Sequence, residues 1–312
     1  MKSHVTFVTA ALLTVTLLIA GCDVNADGDV PMLSPEGEAI VDADFLTSSM
    51  WDDGKAEMSF YHVERDHTQY EEGVSQSFMV GSYLVKQDYS VADQTKALEG
   101  MDGESAFKFS LFQEIDAGSY ERKQNFVVNA RQADLRPFKE SFTSYDWCSN
   151  IYRELAVDPA GSASFMMRSD DYGNTDRTFD YRGGAFTPAQ LPVVMRALTF
   201  DDNGERAFHV MLDDGSFVEA TATREGTETV TLDHMEEEGE RIAVRFEEPV
   251  PGLVTAMDVA EVTYWRRTAD DRTLLRVRGE DVTFDMRLVE TIRSAYWEED
   301  IWAQLEHVDE HP

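Results

Sequence analysis

The side chains able to do chemistry form a short inventory in this chain. Seven histidines occur among 312 residues, and His62 and His67 are the closest pair that survives removal of an export signal, apart from His307 and His311 at the very end. Five positions separate His62 from His67, which puts them on different faces of a helix and on opposite sides of a strand. No His-Glu-x-x-His is present, so no metal and no other cofactor is expected. A serine nucleophile would be announced by Gly-x-Ser-x-Gly. The nearest run, Gly161-Ser162-Ala163-Ser164-Phe165, lacks the second glycine and reads as the start of a strand. Arg182-Gly183-Gly184 has neither the spacing nor the lysine of a phosphate loop. Adjacent acids abound, as at Asp52-Asp53, Asp170-Asp171 and Asp213-Asp214, but such pairs are what turns prefer. No catalytic residue is assigned from the sequence. The densest cluster of unusual side chains runs from Ser144 to Glu154. It reads either as a core strand or as the wall of a concave ligand pocket lined by Trp147, Cys148 and Tyr152.

The chain that positions these residues opens with an export signal. Lys2 precedes an apolar run from Val5 to Ala20, too short and wrongly flanked for a mature membrane span, and small residues close it. The ending Leu18-Ile19-Ala20-Gly21-Cys22 resembles the lipobox of bacterial lipoproteins. That resemblance implies cleavage before Cys22 and acyl chains on its sulfur. More than one chain is needed for stable anchoring, so the expected location is the cell envelope, lipid-anchored to a membrane. Residues 1–21 are then the signal peptide and 22–44 an acidic flexible tether, rich in Asp, Gly and Pro. The tether begins like a calcium loop, with Asp23, Asn25, Asp27 and Gly28 in place. Its twelfth position is Ser34, which cannot supply the bidentate carboxylate.

Charge narrows the partners. Sixty acidic residues face 27 basic ones, a net charge of −33, and loss of the signal peptide removes only the positive Lys2. A field of that sign repels nucleic acid, so no nucleic-acid partner is expected. The expected partners are a membrane, through Cys22, and an apolar ligand or an envelope protein. Lysine is scarce, with none after Lys139. An acid-rich, lysine-poor balance resembles that of proteins from salt-loving organisms, where molar salt screens carboxylate repulsion over about 3 Å. Only two cysteines exist, and lipidation consumes Cys22, so no intrachain disulfide is expected. Cys148 reads as a small buried hydrophobe, since no histidine stands close by to lower its pKa.

From 45 to 312 the dominant pattern is short alternating runs rich in aromatic and β-branched residues, separated by Asp, Asn and Gly turns. Strands are expected at 56–63, 76–85, 105–115, 120–130, 162–168 and 178–181, and later at 260–266, 273–278 and 282–289. Between them a four-strand meander is expected at 207–212, 217–223, 229–232 and 242–247, with turns at Arg224-Glu225-Gly226 and through Glu236 to Glu240. The fold class is therefore mainly β, a large antiparallel curled sheet or two packed β-sheets, in two halves that could meet near residue 200. Helices are few. Thr187-Pro188 caps a short one over 190–198, and Trp297, Ile301, Leu305 and Val308 make one apolar helical face at the C-terminus.

The run Phe107-Lys108-Phe109-Ser110-Leu111-Phe112, the turn Gly118-Ser119-Tyr120 and the segment Asp146-Trp147-Cys148 with Tyr152 and Leu155 resemble an uncharacterised family of bacterial secreted lipoproteins. Members show a Lys-Leu-Asn strand, a Thr-Gly-x-Tyr turn and a Glu-Trp-Cys-Gly segment. Ser110, Ser119, Asp146 and Ser149 depart from it here, and the resemblance spans about residues 50 to 200. It implies a lipoprotein and supplies no activity. The leading expectation is a non-catalytic, lipid-anchored protein that binds or carries an apolar ligand. The alternative is a scaffold subunit of an envelope complex, and the third is a hydrolase whose residues converge only in the fold. The charge balance makes one prediction: the melting temperature rises between low salt and molar salt. Identical melts in the two conditions would remove the salt-loving reading.

Overall fold

The computed structural model describes residues 32–35, 37–67, 74–116, 120–254, 258–280 and 284–308. The signal peptide, Cys22 and the calcium-like loop lie outside them. Strands β1 (Ala56–His67), β2 (Val74–Ser90), β3 (Thr95–Lys96), β4 (Glu104–Asp116) and β5 (Glu121–Arg131) lead into β6 (Pro137–Tyr145), β7 (Asn150–Val157), β8 (Ser162–Ser169) and β9 (Thr175–Asp180). The second series is β10 (Ala185–Phe186), β11 (Glu205–Met211), β12 (Phe217–Thr231), β13 (Glu236–Pro251), β14 (Asp258–Arg267), β15 (Leu274–Gly279) and β16 (Phe284–Ser294). All belong to one curled, unclosed sheet. Its order runs β10 to β16, then β1, β2, and β4 to β9, with β3 a spur on β2.

The sheet consists of two meanders, β1 to β9 and β10 to β16, joined edge to edge. Their seam is the antiparallel pairing of β1 with β16, from Ala56 opposite Ser294 to Arg65 opposite Phe284. Sequence neighbours β9 and β10 form the two free edges, and only residues 181–184 separate them in the chain. The sheet therefore curls until its edges approach. Phe179 of β9 lies over Gly215 in the β11–β12 turn, where an added Cβ would sit 2.8 Å from the ring, and Arg153 of β7 reaches Asp213 at 2.7 Å. Among the described strands only β10 with β11 is parallel.

The crossover segment after β10 fills the inside of the curl. Thr187 opens a single 3-10 turn, Pro188–Gln190, which continues into helix α2 (Leu191–Ala197), as the Thr-Pro signal predicts. All seven α2 residues are buried, the pattern of a helix enclosed on every side. The last carbonyls of such a helix need donors from outside it. Arg266 of β14 supplies them, with Nη1 3.0, 3.2 and 3.1 Å from the carbonyl oxygens of Met195, Arg196 and Leu198, while its Nε donates to Glu240 at 2.6 Å. Arg196, the helix's one charge, forks onto Glu57 of β1 at 2.7 and 3.0 Å and onto the Asp271 carbonyl at 2.6 Å.

Four expectations need correction. The body begins before residue 45: Met32, Ile40 and Val41 are buried, Val41 bridges Leu198, and helix α1 (Ala43–Leu46) is capped by Asp42. Hydrophobic anchors spaced along the acidic run dock it, so within the described residues the expected tether is body. The four-strand meander has three strands, because Arg224-Glu225-Gly226 is a bulge inside β12, with Gly226 at φ 115°, and the acidic stretch from Glu236 to Glu240 is itself strand. Strands β6 and β7 were not expected as a hairpin. Finally, residues 295–308 are turns, not a helix. Carboxylates capture the main-chain N–H groups there: Trp302 N donates to Asp300, and Glu306 N and His307 N donate to Glu290 at 2.9 and 3.0 Å. Ile301, Leu305 and Val308 still pack on Met58 and Phe60, outside the sheet.

Replacing Arg266 by Met would leave Glu240 and three helix carbonyls without their donor. We expect a loss of about 3–5 kcal/mol in denaturant unfolding, and a loss below ~1 kcal/mol would refute the capping role.

Candidate functional site

The hairpin turns at one end of the sheet carry the residues singled out for a pocket. Asp146 closes the β6–β7 turn by accepting from Cys148 N at 2.7 Å and Ser149 N at 2.9 Å, and its other oxygen accepts from Arg122 Nε at 2.8 Å. This Asx turn throws the next side chains outward. Trp147 is 80% exposed and stacks on Tyr120 of the β4–β5 turn at 6.3 Å; Cys148 is an exposed free thiol. Cys148 is therefore not the buried hydrophobe expected. Tyr145 (56%) and Tyr172 of the β8–β9 turn (74%) extend the exposed row. Tyr152 sits apart, half-buried in an open polar depression with Thr143, Asn150 and Arg168. Its hydroxyl donates to Glu154 at 2.6 Å; burial, with Glu154 beside it, pushes the phenol up to about 12. Trp147, Cys148 and Tyr152 thus line no common cavity. The turn-forming Asp before Trp147 was the signal that this stretch is a tip and not a core strand.

Among the described residues the inside of the sheet shows two narrow crevices beside α2. Between α2 and the loop after β13 lies a crevice lined by Pro188, Leu191, Pro192, Val250, Leu253 and Tyr264, and its free volume is about 30 Å³. A second, of about 20 Å³, lies beneath Arg196 beside Ser59 and Ser82. One water needs roughly 10–15 Å³ on this scale, so neither holds a lipid chain as it stands. Arg65 fastens the loop over the first crevice, donating from Nη1 to the Val254 carbonyl at 2.7 Å. Under the 3-10 turn, Glu140 of β6 is buried, and its Oε2 has no hydrogen-bond partner among the described residues. Burial raises its pKa, against the opposing pull of Arg153.

A third cluster forms on the outer face, where β1, β2 and β16 meet the tip of the β12–β13 hairpin. His62 Nε2 is 2.6 Å from Ser77 Oγ, and His62 Nδ1 is 3.2 Å from Asp233 Oδ2. Arg287 holds the other oxygen of Asp233 through Nε at 3.0 Å and reaches Asp285 at 2.8 Å and Glu64 at 3.3 Å. Its Nη2 also approaches His62 Nδ1 at 3.4 Å. Beside it, the rings of His234 and His307 lie 4.0 Å apart. Pairing His62 with His67 in sequence missed this cluster, because its members stand 15 and 171 positions apart in the chain.

The buried Glu140 sets a pH dependence with a definite sign. A carboxyl whose folded pKa is raised contributes stability below its unfolded pKa and loses it as pH rises through the folded value. Glu140→Gln should therefore raise the denaturation midpoint at pH 7.5 and change it little at pH 4; an unchanged midpoint at pH 7.5 would contradict this. No protein-family model, no curated protein and no solved structure matches this chain.

Proposed function

We propose that this chain is a lipid-anchored envelope protein that works through its surface: acyl chains on Cys22 hold it at a membrane, and the aromatic hairpin tips engage a protein partner. The observation that carries the reading is the contrast between inside and outside. Helix α2 is buried on all sides and, among the described residues, the two crevices beside it hold only about 30 and 20 Å³, while Trp147, Tyr172 and Tyr145 are exposed in one row. Rings of this kind offer roughly 150–250 Å² each, and aromatic side chains dominate the energetics of protein interfaces. The exposed acidic groups beside them, Asp170 and Asp171, match a partner with a basic surface.

The position of the first described residue fits this arrangement. Met32 packs on the Tyr181 hydroxyl at 2.9 Å, and Tyr181 N donates to Gly161 in the β7–β8 turn, at the opposite end of the strands from Trp147. The residues between Cys22 and Met32 reach at most about 3.3–3.6 Å each. An anchor at Cys22 joins the body at the end remote from the aromatic tips, an attachment compatible with tips that face away from the bilayer.

A carrier of an apolar ligand is the second reading, favoured by the mainly apolar walls of the crevice beside α2. It requires α2 and the loop held by Arg65 to withdraw.

The native thiol tests the first reading directly. A photo-crosslinker on Cys148 in the lipidated protein should trap one envelope protein in stoichiometric yield. Trp147→Ala with Tyr172→Ala should cut that yield at least ~10-fold, as for interface hot spots. A bound lipid in native mass spectra with no crosslinked partner would replace the interaction reading by the carrier. Recovery of the uncleaved chain in the cytosol, without lipid mass on Cys22, would overturn both.

A further inference from the structure

We propose that Ser77, His62 and Asp233 form a hydrolytic site for short-chain carboxylic esters on the outer face of β1 and β2. The geometry is that of a nucleophile, a base and an orienting carboxylate joined in series: Ser77 Oγ to His62 Nε2 at 2.6 Å, and His62 Nδ1 to Asp233 Oδ2 at 3.2 Å. Both distances fall at the limits of the range in which an imidazole takes a hydroxyl proton while a carboxylate holds its other nitrogen. Such sites are recognised by geometry and roles and not by order in the chain.

Three structural facts bear on the assignment. His62 and Ser77 share the outer face because Glu64, two residues from His62, pairs directly with Ser77. Asp233 arrives from the β12–β13 tip, and Arg287 fixes its Oδ1 at 3.0 Å, so that Oδ2 is left for the histidine. That contact selects the tautomer with hydrogen on Nδ1, which leaves Nε2 free to accept from Ser77. The Arg287 Nη2 contact to Nδ1 favours the opposite tautomer, but it is longer, at 3.4 Å. Glu64, Asp233 and Asp285 hold Arg287 and Arg276 around the histidine, so the cluster is fixed by ion pairs on every side.

The reaction balances without a cofactor. Ser77 Oγ attacks the ester carbonyl carbon as its proton passes to His62 Nε2. The carbonyl–alkoxy bond then breaks, and His62 returns the proton to the leaving alcohol. Water hydrolyses the acyl-serine by the same path in reverse, giving the acid and restoring the hydroxyl. Pairing of β2 with β4 begins only at Val80 opposite Gln113, so among the described residues no strand covers that edge of 74–79. Main-chain N–H groups alternate along a strand, and one directed to this edge beside Ser77 would be the donor for the developing oxyanion. The site lies open on a sheet face among the described residues, and short acyl groups are the simplest esters that such a face admits.

The test uses the full-length mature protein, an alkyl fluorophosphonate and p-nitrophenyl acetate. Intact-mass and peptide analysis should place one adduct on Ser77, absent in Ser77→Ala, which deletes a single oxygen and should melt as the parent does. His62→Gln should slow labelling and turnover by roughly 10²-fold or more. Asp233 is a positioning residue, so Asp233→Asn should lower kcat with little change in KM and shift the pH profile of kcat. The proposal falls if Ser77 is unlabelled, if His62→Gln labels at the parent rate, or if ester turnover persists in Ser77→Ala.

Discussion

Arg266 joined to the end of the buried helix is the contact on which the architecture rests. A curled sheet this wide must fill its interior, and the chain fills it with its own crossover, whose helix ends among apolar side chains with open carbonyls. A buried polar group without a partner is costly, so a single guanidinium spread over three oxygens makes the enclosed helix tolerable. Burial alone draws the pKa of Arg266 down, and Glu240 opposes that shift from the other side. The Arg196 fork onto Glu57 then locks the helix to β1, beside the seam of the two meanders. Helix, seam and sheet curvature are in this sense one feature.

The same chemistry explains how the chain uses its basic residues. Most of the ion pairs involve arginine, and several cross between strands or segments as forks, as in Arg276 with Asp285 and Arg267 with Glu237. A planar guanidinium meets a carboxylate along two parallel bonds, which an ammonium cannot do. In a protein so rich in acid, arginine ties separate elements together as well as offsetting charge. Trp51 shows a second use: the guanidinium groups of Arg196 and Arg293 lie 5.5 and 5.4 Å from its ring.

Strand periodicity was legible because it is local. Alternation at 105–115 and 120–130 and the Thr187-Pro188 helix start are decided by neighbours a few residues away, and they appear where the pattern puts them. What could not be read depends on distant partners. The apolar spacing of Trp297, Ile301, Leu305 and Val308 fits a helix, but Glu290 takes N–H groups from that segment. Trp147 and Cys148 look like core by composition, and one carboxylate turns them outward. The proximity of Ser77 to His62 needs the register of β1 on β2, and Asp233 needs a hairpin tip that crosses β14 and β15, so no motif could announce them.

The seam between β1 and β16 also sets the order in which the protein can be completed. A chain is made from its N-terminus, and among the described residues β1 is the first long strand out while its partner β16 is the last. Until the final strand arrives, β1 keeps one bare edge with unpaired main-chain groups, the feature that invites sheets from different chains to join. The whole second meander must form and swing back before that edge is covered, a closure between residues about as far apart as the body allows. Assembly is thus exposed to misjoining for as long as the chain is incomplete, and a chain cut short by even its last strand would never leave that state.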